Sequence, residues 1–320
     1  MHAKAETEAE AEAKTTPAAR DRMLRRATVA AVVTAATLVL IKLGAWLVTD
    51  AVSLLGTLVD SLLDLAASAL NLLAVRHALT PPDREHRFGH GKVEPLAALG
   101  QAAFISGSAV FLVITAGQRF LSPRPIQAGE VGIAVMLVSI LATLGLVAYQ
   151  RRVVRRTGSL AIRADSLHYL ADVAVNLAII LALGLWMAYG WTWVDPAFAV
   201  LIAGYILVTA ARIGRGALDM LMDRELPEAA RARILEIVKA HPEVLGLHDL
   251  RTRAAGPNSF IQLHVELDGT MSLYRANTIA DAIEAEVQAA FPEAEVILHQ
   301  DPFGVDAEST PVAAATPTSI

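Results

Sequence analysis

Six long apolar segments between Arg26 and Arg212 constrain most strongly what this chain can fold into. A helix needs about 20 apolar residues to cross a hydrocarbon core about 30 Å thick, and every segment reaches roughly that length. The sequence therefore predicts six membrane-spanning helices. They cover residues 27–49, 51–79, 95–119, 130–150, 159–188 and 194–212.

The composition supports a membrane protein and narrows the metal chemistry open to it. Of the 320 residues, 54% are hydrophobic, which is more than an ordinary soluble domain carries. The formal net charge of −5 gives no indication of a nucleic-acid partner. Cysteine is absent, so the chain has neither disulfides nor thiolate metal ligands. A dedicated Cu(I) site is thereby disfavoured, and histidine, carboxylate and backbone oxygen are the available ligands.

Basic residues cluster on one side of the predicted spans. They precede the first span and fill the connections after the second, fourth and sixth, whereas the opposite connections hold only Arg119 and Arg124. The positive-inside rule then places both termini in the cytoplasm, as expected for a multi-pass protein of a bacterial inner membrane. Lys42 is an exception inside the first span, and we expect it to snorkel toward the outer interface.

The composition changes to that of a soluble domain near Glu225. Amphipathic helical and alternating strand patterns follow in the order αββαβ, which predicts a small cytoplasmic α+β domain. The expected organisation is a disordered tail over 1–20, a six-helix transmembrane domain over 21–215, the α+β domain over 216–304, and a second disordered tail over 305–320.

Two pairs of ionisable residues interrupt the apolar spans. Asp60 and Asp64 lie four residues apart in the second span, and His168 and Asp172 repeat that spacing in the fifth. Each pair shares one helical face, and both fall near mid-membrane if helices rise 1.5 Å per residue. Charged groups are costly there and usually functional. Four oxygen and nitrogen ligands suit a tetrahedral divalent cation, although these side chains alternatively bond neighbouring helices or line a water-filled cavity.

Two further groups of possible metal ligands lie outside the spans. The connection after the second span contains Asp83, His86 and His90, which bind a second ion, gather ions for the first site, or form a solvated polar loop. In the α+β domain, predicted strands carry four more potential ligands, each of which alone is better read as a structural or surface residue. These are His248, His264, His299 and Asp301.

Several segments resemble the cation diffusion facilitator family, and in particular its bacterial zinc/ferrous-iron efflux branch. They are "SLLGTLVDSLLDLAAS", "FGHGKVEPLAALGQ", "ADSLHYLADVAVN", "LHDLRTRAAGPNSFIQLHVEL" and "VILHQDPF". The segments occur in the order found in that branch, and the similarity extends from about residue 22 to residue 304.

This resemblance implies a homodimer with three metal positions. The transport site would use Asp60, Asp64, His168 and Asp172, the loop site Asp83, His86 and His90, and the cytoplasmic site His248, His264, His299 and Asp301. Family members often supply one more cytoplasmic histidine. Asn277 stands at that position here, and asparagine is a much poorer zinc ligand than histidine, so the resemblance does not carry over a second metal ion. Lys92 and Asp223 match a charge interlock between the two halves, and otherwise read as independent surface charges.

The ligand chemistry and the resemblance together predict a transporter that exports a divalent metal by proton antiport with alternating access. Protons compete with metal for carboxylate and imidazole. Zn²⁺ is our first expectation for the cargo, followed by Fe²⁺, with Cd²⁺, Co²⁺ and Mn²⁺ also compatible with this ligand set. The alternatives are an intramembrane metalloenzyme or a metal-sensing membrane protein without transport. No HExxH motif supports the enzyme, and a sensor does not explain ligands at mid-membrane.

Overall fold

The computed structural model describes residues 16–49, 52–121, 130–191 and 193–304. The predicted disorder of the tails concerns residues that lie almost wholly outside these ranges. The described chain begins with six long helices. They are α1 (Pro17–Thr49), α2 (Val52–Ala78), α3 (Val93–Leu121), α4 (Glu130–Thr157), α5 (Leu160–Tyr189) and α6 (Val194–Leu221).

All six helices contain a segment long and apolar enough to cross a membrane, with mean hydropathies between 1.7 and 2.6. Many of their large apolar side chains are exposed, including Leu40, Phe111 and Leu141. Such a surface suits lipid rather than water. The prediction of a six-span membrane domain is confirmed.

Local sequence explains where several of these helices begin and end. Pro17 opens α1, where its missing N–H removes no helical hydrogen bond. The α4–α5 connection is short, because Gly158 adopts a left-handed φ of 65° and donates its N–H to the carbonyl of Val154. Glycine adopts that conformation without steric cost. Helices α4 and α5 are therefore joined by a tight turn at the end rich in arginine.

The helices pack in two sets around α5. Helix α1 contacts α2 and α4, and α5 contacts α4 and, over a shorter stretch, α2. Helices α3 and α6 pack closely against each other and against α5, through buried small residues such as Ala102, Ala109, Ala203 and Ala210. Small side chains let helical backbones approach closely in a membrane. Helix α5 is thus central to the packing of this domain.

The remaining elements follow the predicted order αββαβ. They are α7 (Glu228–Lys239), β1 (Gly246–Ala255), β2 (Asn258–Leu267), α8 (Leu273–Ala290) and β3 (Ala294–Pro302). The strand order is β1-β2-β3, with β1 antiparallel and β3 parallel to β2. Gly256, with a φ of 61°, and Pro257 form the two-residue β1–β2 turn. Positive φ followed by a proline-compatible residue suits a type II′ hairpin.

One face of this sheet forms an apolar core with the two helices. Ile261, Leu263 and Val265 of β2 are almost fully buried against Ile234 of α7 and Ile283 of α8. Intervening residues on β2, including His264 and Glu266, point to the opposite face. The predicted α+β fold is confirmed, and its open sheet face carries the ionisable residues.

The chain divides into two compact units, Met1–Met222 and Asp223–Ile320. The boundary expected from the sequence lies between residues 215 and 216, whereas α6 continues without interruption to Leu221. The described part of α1 likewise includes residues 17–20, which were expected to belong to the tail.

Candidate metal sites

The first group of candidate ligands joins α2 to α5. One ligand atom each from Asp64, His168 and Asp172 lies within 4.8 Å of the other two. The Nε2 of His168 and an Oδ of Asp64 are 3.0 Å apart. Two ligands of one tetrahedral zinc ion, each bonded at 2.0–2.1 Å, lie about 3.3 Å apart. Small side-chain movements therefore bring this group to zinc-binding geometry.

Asp60 is not a member of this close group. It lies one turn from Asp64 on α2 and is exposed, whereas His168 is buried and Asp64 and Asp172 are partly buried. The four-residue spacing places the two aspartates on the same side of α2, but only Asp64 reaches α5 in this structure. Its exposure leaves the Asp60 carboxylate accessible next to the group.

Lys42 does not snorkel toward the outer interface as predicted. Its Nζ donates a hydrogen bond to the Oγ of Ser61 at 2.6 Å and another to the carbonyl of Thr57 at 3.2 Å, both on α2. The ammonium group also interacts electrostatically with Asp64, Asp172 and Asp60. The prediction failed because α2 offers two oxygen acceptors within hydrogen-bonding distance of the Lys42 Nζ. The sequence did contain a signal for this contact: Lys42 is a basic residue inside the first span, and the neighbouring second span carries Asp60 and Asp64.

A fully buried carboxylate lies one turn before His168 on α5. Asp165 is fully buried and accepts hydrogen bonds from the side-chain amides of Gln101 on α3, at 3.2 Å, and Gln150 on α4, at 2.5 Å. Three helices thus meet at one carboxylate, which we call the Asp165 node. It was not predicted, although Asp165 stands in the same polar segment as His168 and Asp172.

The second candidate group lies in the α2–α3 connection. Ligand atoms of Asp83, His86 and His90 lie within 4.8 Å of one another. Asp83 is 3.3 Å from His90 Nε2 and 3.5 Å from His86 Nδ1. The backbone N–H groups of His86 and Glu85 hold the pKa of the Asp83 carboxyl below its usual range. Asp83 therefore both fixes the turn and offers a charged ligand.

His77 approaches this loop group from the last turn of α2. Its ring centroid lies 4.6 Å from that of His90, which is as close as the rings of His86 and His90 are to each other. His77 was not among the ligands predicted from the sequence. Only the folding of the connection back onto α2 brings it here, so the sequence offered no direct signal.

The third candidate group follows from strand register. His248 of β1 pairs with His264 of β2, which pairs with His299 of β3. The three histidines therefore form a row across the open sheet face. Asp301 of β3 contacts His264 at 2.7 Å, His299 at 3.1 Å and His248 at 3.5 Å. Nitrogen and oxygen ligands of this kind suit zinc, and His248, His264 and Asp301 form the tightest group.

A β-bulge after His248 keeps the row intact. Asp249 and Leu250 together stand opposite a single residue of β2, and Asp249 has a left-handed φ of 49°. Residues three positions apart on a regular strand point to opposite faces. Because of the extra residue, Arg251 instead lies on the same open face as His248. Arg251 donates a hydrogen bond from Nε to Asp249 at 2.9 Å, which lowers the pKa of the Asp249 carboxyl.

Glu266 orients His248 from behind and was not among the predicted site residues. A carboxylate oxygen of Glu266 lies 3.0 Å from His248 Nδ1. A carboxylate only accepts, so Nδ1 donates and Nε2 is directed toward Asp301. Glu266 fits because Gly246 stands opposite it, where a Cβ would come within 2.6 Å of its carboxylate. The sequence offered one signal of this role: Glu266 stands two positions after His264, so both side chains lie on the same face of the predicted strand.

Three further predicted residues lie outside these groups. Asn277 is exposed on α8 and donates to Asp281 at 2.9 Å. Lys92 donates to the carbonyl of Leu221 at 3.5 Å, and Asp223 pairs with Arg253 at 3.4 Å. Lys92 and Asp223 belong to different compact units, so their interlock stays a prediction.

Comparison with known proteins relates both units to one kind of protein. The profile described as cation efflux transmembrane domain matches residues 28–222. A second profile, described as cation efflux protein, cytoplasmic domain, matches residues 226–303. Together the two matched ranges include every candidate ligand described above.

Curated relatives match along nearly their whole length. The cation-efflux pump FieF of Klebsiella pneumoniae subsp. pneumoniae is 51% identical over 285 residues, which cover 89% of this chain and 94% of that protein. FieF of Shewanella oneidensis is 50% identical over 286 residues, with coverage of 89% and 96%. The metal-bound C-terminal domain of the CzcD transporter from Thermotoga maritima is 27% identical, covering 25% of this chain and all of that one. Its TM-score of 0.24 is too low to support an inference.

Proposed function

The chain belongs to the cation diffusion facilitator family of cation-efflux transporters, and we propose that it exports Zn²⁺ from the cytoplasm in exchange for protons. The observation that carries this proposal is the approach of Asp64, His168 and Asp172 on two membrane-spanning helices. We propose this group, with Asp60 beside it, as the transport site. Fe²⁺ is the second candidate cargo, because carboxylates also accept harder cations than imidazole does.

Proton exchange follows from the chemistry of the ligands. Carboxylate and imidazole bind metal only when deprotonated, so protons and metal compete for the same atoms. Metal entering from the cytoplasm displaces protons from the site. On the other side of the membrane, protons displace the metal. An inward proton gradient then drives efflux without any covalent step.

Alternating access requires α2 and α5 to change their exposure together, since each contributes ligands. Asp60 is exposed while Asp64, His168 and Asp172 are partly or fully buried. We propose that Asp60 meets the ion first or last, and that movement of α2 relative to α5 passes the ion between Asp60 and the close group. The Lys42 side chain on α1 lies beside these carboxylates and donates a hydrogen bond to Ser61 of α2.

The two remaining groups serve regulation and supply in this proposal. Asp83, His86 and His90 gather metal at the cytoplasmic end of α2. His248, His264, His299 and Asp301 hold a resident metal in the cytoplasmic domain, and their nitrogen and oxygen donors fit zinc. That metal would stabilise the homodimer expected for this domain. The positive-inside distribution supports the proposal that both termini lie in the cytoplasm, with the protein in a bacterial inner membrane.

Zinc uptake into proteoliposomes tests the transport site. We expect Asp64→Ala, His168→Ala and Asp172→Ala each to reduce zinc flux at least tenfold, and Asp60→Ala to do the same if it passes the ion. Asp219→Ala removes a carboxylate from α6 outside the group and serves as the matched control. Flux at the wild-type rate from the Asp64 and Asp172 variants would sink the assignment. Competition among Zn²⁺, Fe²⁺, Cd²⁺, Co²⁺ and Mn²⁺ in the same assay ranks the cargo.

Two other functions make different predictions in that assay. A metalloenzyme would hydrolyse a substrate independently of the proton gradient, and a sensor would bind zinc without moving it. The named activity of the curated relatives, cation efflux, favours transport. Zinc accumulation against its own gradient distinguishes the transporter from both.

A further inference from the structure

A cavity of about 600 Å³ lies among α4, α5 and α6, at the arginine-rich ends of these helices. Three arginines line it: Arg151 and Arg155 on α4, and Arg163 on α5. All three are exposed, and within the described part of the chain none of their side chains has a hydrogen-bond or salt-bridge partner. The cavity therefore concentrates positive charge that nothing in the described structure neutralises.

This cavity is separate from the proposed transport site. On α5, its lining residues include Arg163, Leu167 and Leu170, whereas His168 and Asp172 belong to the metal group. At about 100° per residue, the two sets point to opposite sides of α5. Three guanidinium groups also repel a divalent cation. The cavity is therefore not a route for the cargo.

The lining is basic near the helix ends and carries no charged residue farther along the helix axes, where apolar side chains lie beside Ser166, Tyr205 and Thr209. Arg155 and Arg163 lie within one turn of the helix ends at Thr157 and Leu160. Leu170 lies ten residues from the start of α5, or about 15 Å along the helix, which is half of a hydrocarbon core. Leu167 and Ile213 extend the apolar wall. A ligand that fits this lining has an anionic end at the membrane surface and an apolar chain below it.

We propose that this cavity binds an anionic phospholipid, with the phosphate held by Arg151, Arg155 and Arg163 and an acyl chain against the apolar wall. Guanidinium groups match phosphate oxygens through paired hydrogen bonds. Basic pockets between membrane-spanning helices are suited to such headgroups. The lipid would brace α4 and α6 against the outer side of α5, the helix that carries His168 and Asp172.

The four arginines at the end of α4 provide an internal control. Arg151 and Arg155 line the cavity, whereas Arg152 and Arg156 are exposed on the same two turns and do not. A requirement of membrane topology alone would treat all four alike. Lipid binding in the cavity distinguishes the first pair from the second.

The experiment is native mass spectrometry of the full-length protein in a neutral detergent, titrated with phosphatidylglycerol. We expect Arg151→Gln/Arg155→Gln to weaken phosphatidylglycerol binding at least tenfold, and Arg152→Gln/Arg156→Gln to change it less than threefold. Phosphatidylethanolamine should bind weakly to all three proteins. Equal loss in both double variants, or no loss in the first, would overturn the proposal.

A second arm separates a lipid from a soluble anion and checks folding. Phosphatidylglycerol should raise the melting temperature of the wild type and not that of Arg151→Gln/Arg155→Gln. Inorganic phosphate at the same concentration should leave the wild type unchanged. Equal protection by phosphate would identify a soluble-anion site and overturn the lipid assignment. A melting temperature of the variant without lipid equal to that of the wild type without lipid shows that the variant is folded.

Discussion

Glu266 shows how one residue outside a ligand set can control its geometry. Its carboxylate accepts from His248 Nδ1 at 3.0 Å, which leaves Nε2 facing Asp301. The same acceptor raises the basicity of the imidazole as a ligand. Gly246 makes room for this carboxylate. In the proposed cytoplasmic site, His248 is therefore oriented by a side chain that need not touch a metal.

We predict that Glu266→Gln weakens zinc binding at the cytoplasmic site, because a neutral amide orients His248 less firmly. Loss of such a partner typically lowers metal affinity about 10–100-fold. Competition with a chelating dye measures this in full-length protein carrying Asp64→Ala and Asp83→Ala, which leave the sheet site to report. Glu286→Gln is the matched control, since Glu286 pairs with His241 at 3.3 Å away from the ligands. Equal affinities of the two glutamine variants would contradict this role.

Asp83 has two functions that substitution can separate. Asparagine keeps an oxygen for the backbone N–H groups of Glu85 and His86, but removes the charge that faces the histidines. We predict that Asp83→Asn weakens loop-site zinc binding while hydrogen exchange in the loop stays slow. Asp83→Ala should weaken binding and speed exchange. Fast exchange in both variants would show that the charge, and not the acceptor, holds the turn.

The pKa of Asp83 also fixes the pH dependence of the loop site. Its pKa lies below the usual aspartate value of about 3.9, so this carboxylate is ionised throughout the physiological range. Protons begin to displace metal from it only as pH falls below that value. Protonation of Asp83 therefore does not weaken loop-site binding between pH 7 and pH 5.

The identity of the candidate ligands was more predictable from the sequence than their contacts. Four-residue spacing and equal depth follow from helix geometry alone, and they are enough to single out the four residues Asp60, Asp64, His168 and Asp172. The rotation of α2 about its axis depends on packing with α1 and α5. The sequence therefore could not show that Asp64 reaches His168 while Asp60 remains exposed, nor that Lys42 turns toward Ser61.

At the level of secondary-structure elements, the Asp165 node fixes three helices to one another. Gln101 of α3 and Gln150 of α4 donate to the two oxygens of Asp165 on α5, one turn from His168. A buried polar group without a partner is costly, so these three side chains stabilise one arrangement of their helices. The position of the candidate ligands His168 and Asp172 on α5 depends on this arrangement.

We predict that Asp165→Leu lowers the melting temperature of the full-length protein in detergent. The leucine leaves two buried amide groups without an acceptor, at about 1–3 kcal/mol for each. Asp165→Asn keeps one acceptor oxygen and should have a smaller effect. Differential scanning fluorimetry provides the measurement. A leucine variant as stable as the asparagine variant would mean that the amides find other partners.

The sheet contains both features that the sequence pattern predicts and one that it does not predict. Alternation of apolar and polar residues identified all three strands. It did not identify the bulge at Asp249, because a single extra residue leaves the hydrophobic pattern nearly unchanged. Without the bulge, the residues after His248 would exchange faces of the sheet. The row of histidines therefore depends on register, which only the three-dimensional structure gives.

For the whole molecule, the membrane made the fold predictable. Lipid requires long helices with satisfied backbone groups, so length and hydropathy sufficed to find all six spans. The pairing of α3 with α6 through small residues was not predicted, because alanine is common throughout the spans. The change in composition near Glu225 separated the two compact units to within a few residues.

The ligands on α2 and α5 are proposed to exchange a divalent metal for protons, and this exchange can be observed directly. Proteoliposomes that contain a zinc indicator and a pH indicator measure both fluxes at once. We predict that zinc and protons move in opposite directions in the wild type, that an opposing pH gradient speeds zinc uptake, and that Asp64→Ala abolishes both fluxes together. Zinc flux that is indifferent to the pH gradient, or that persists in Asp64→Ala, would rule out this exchange.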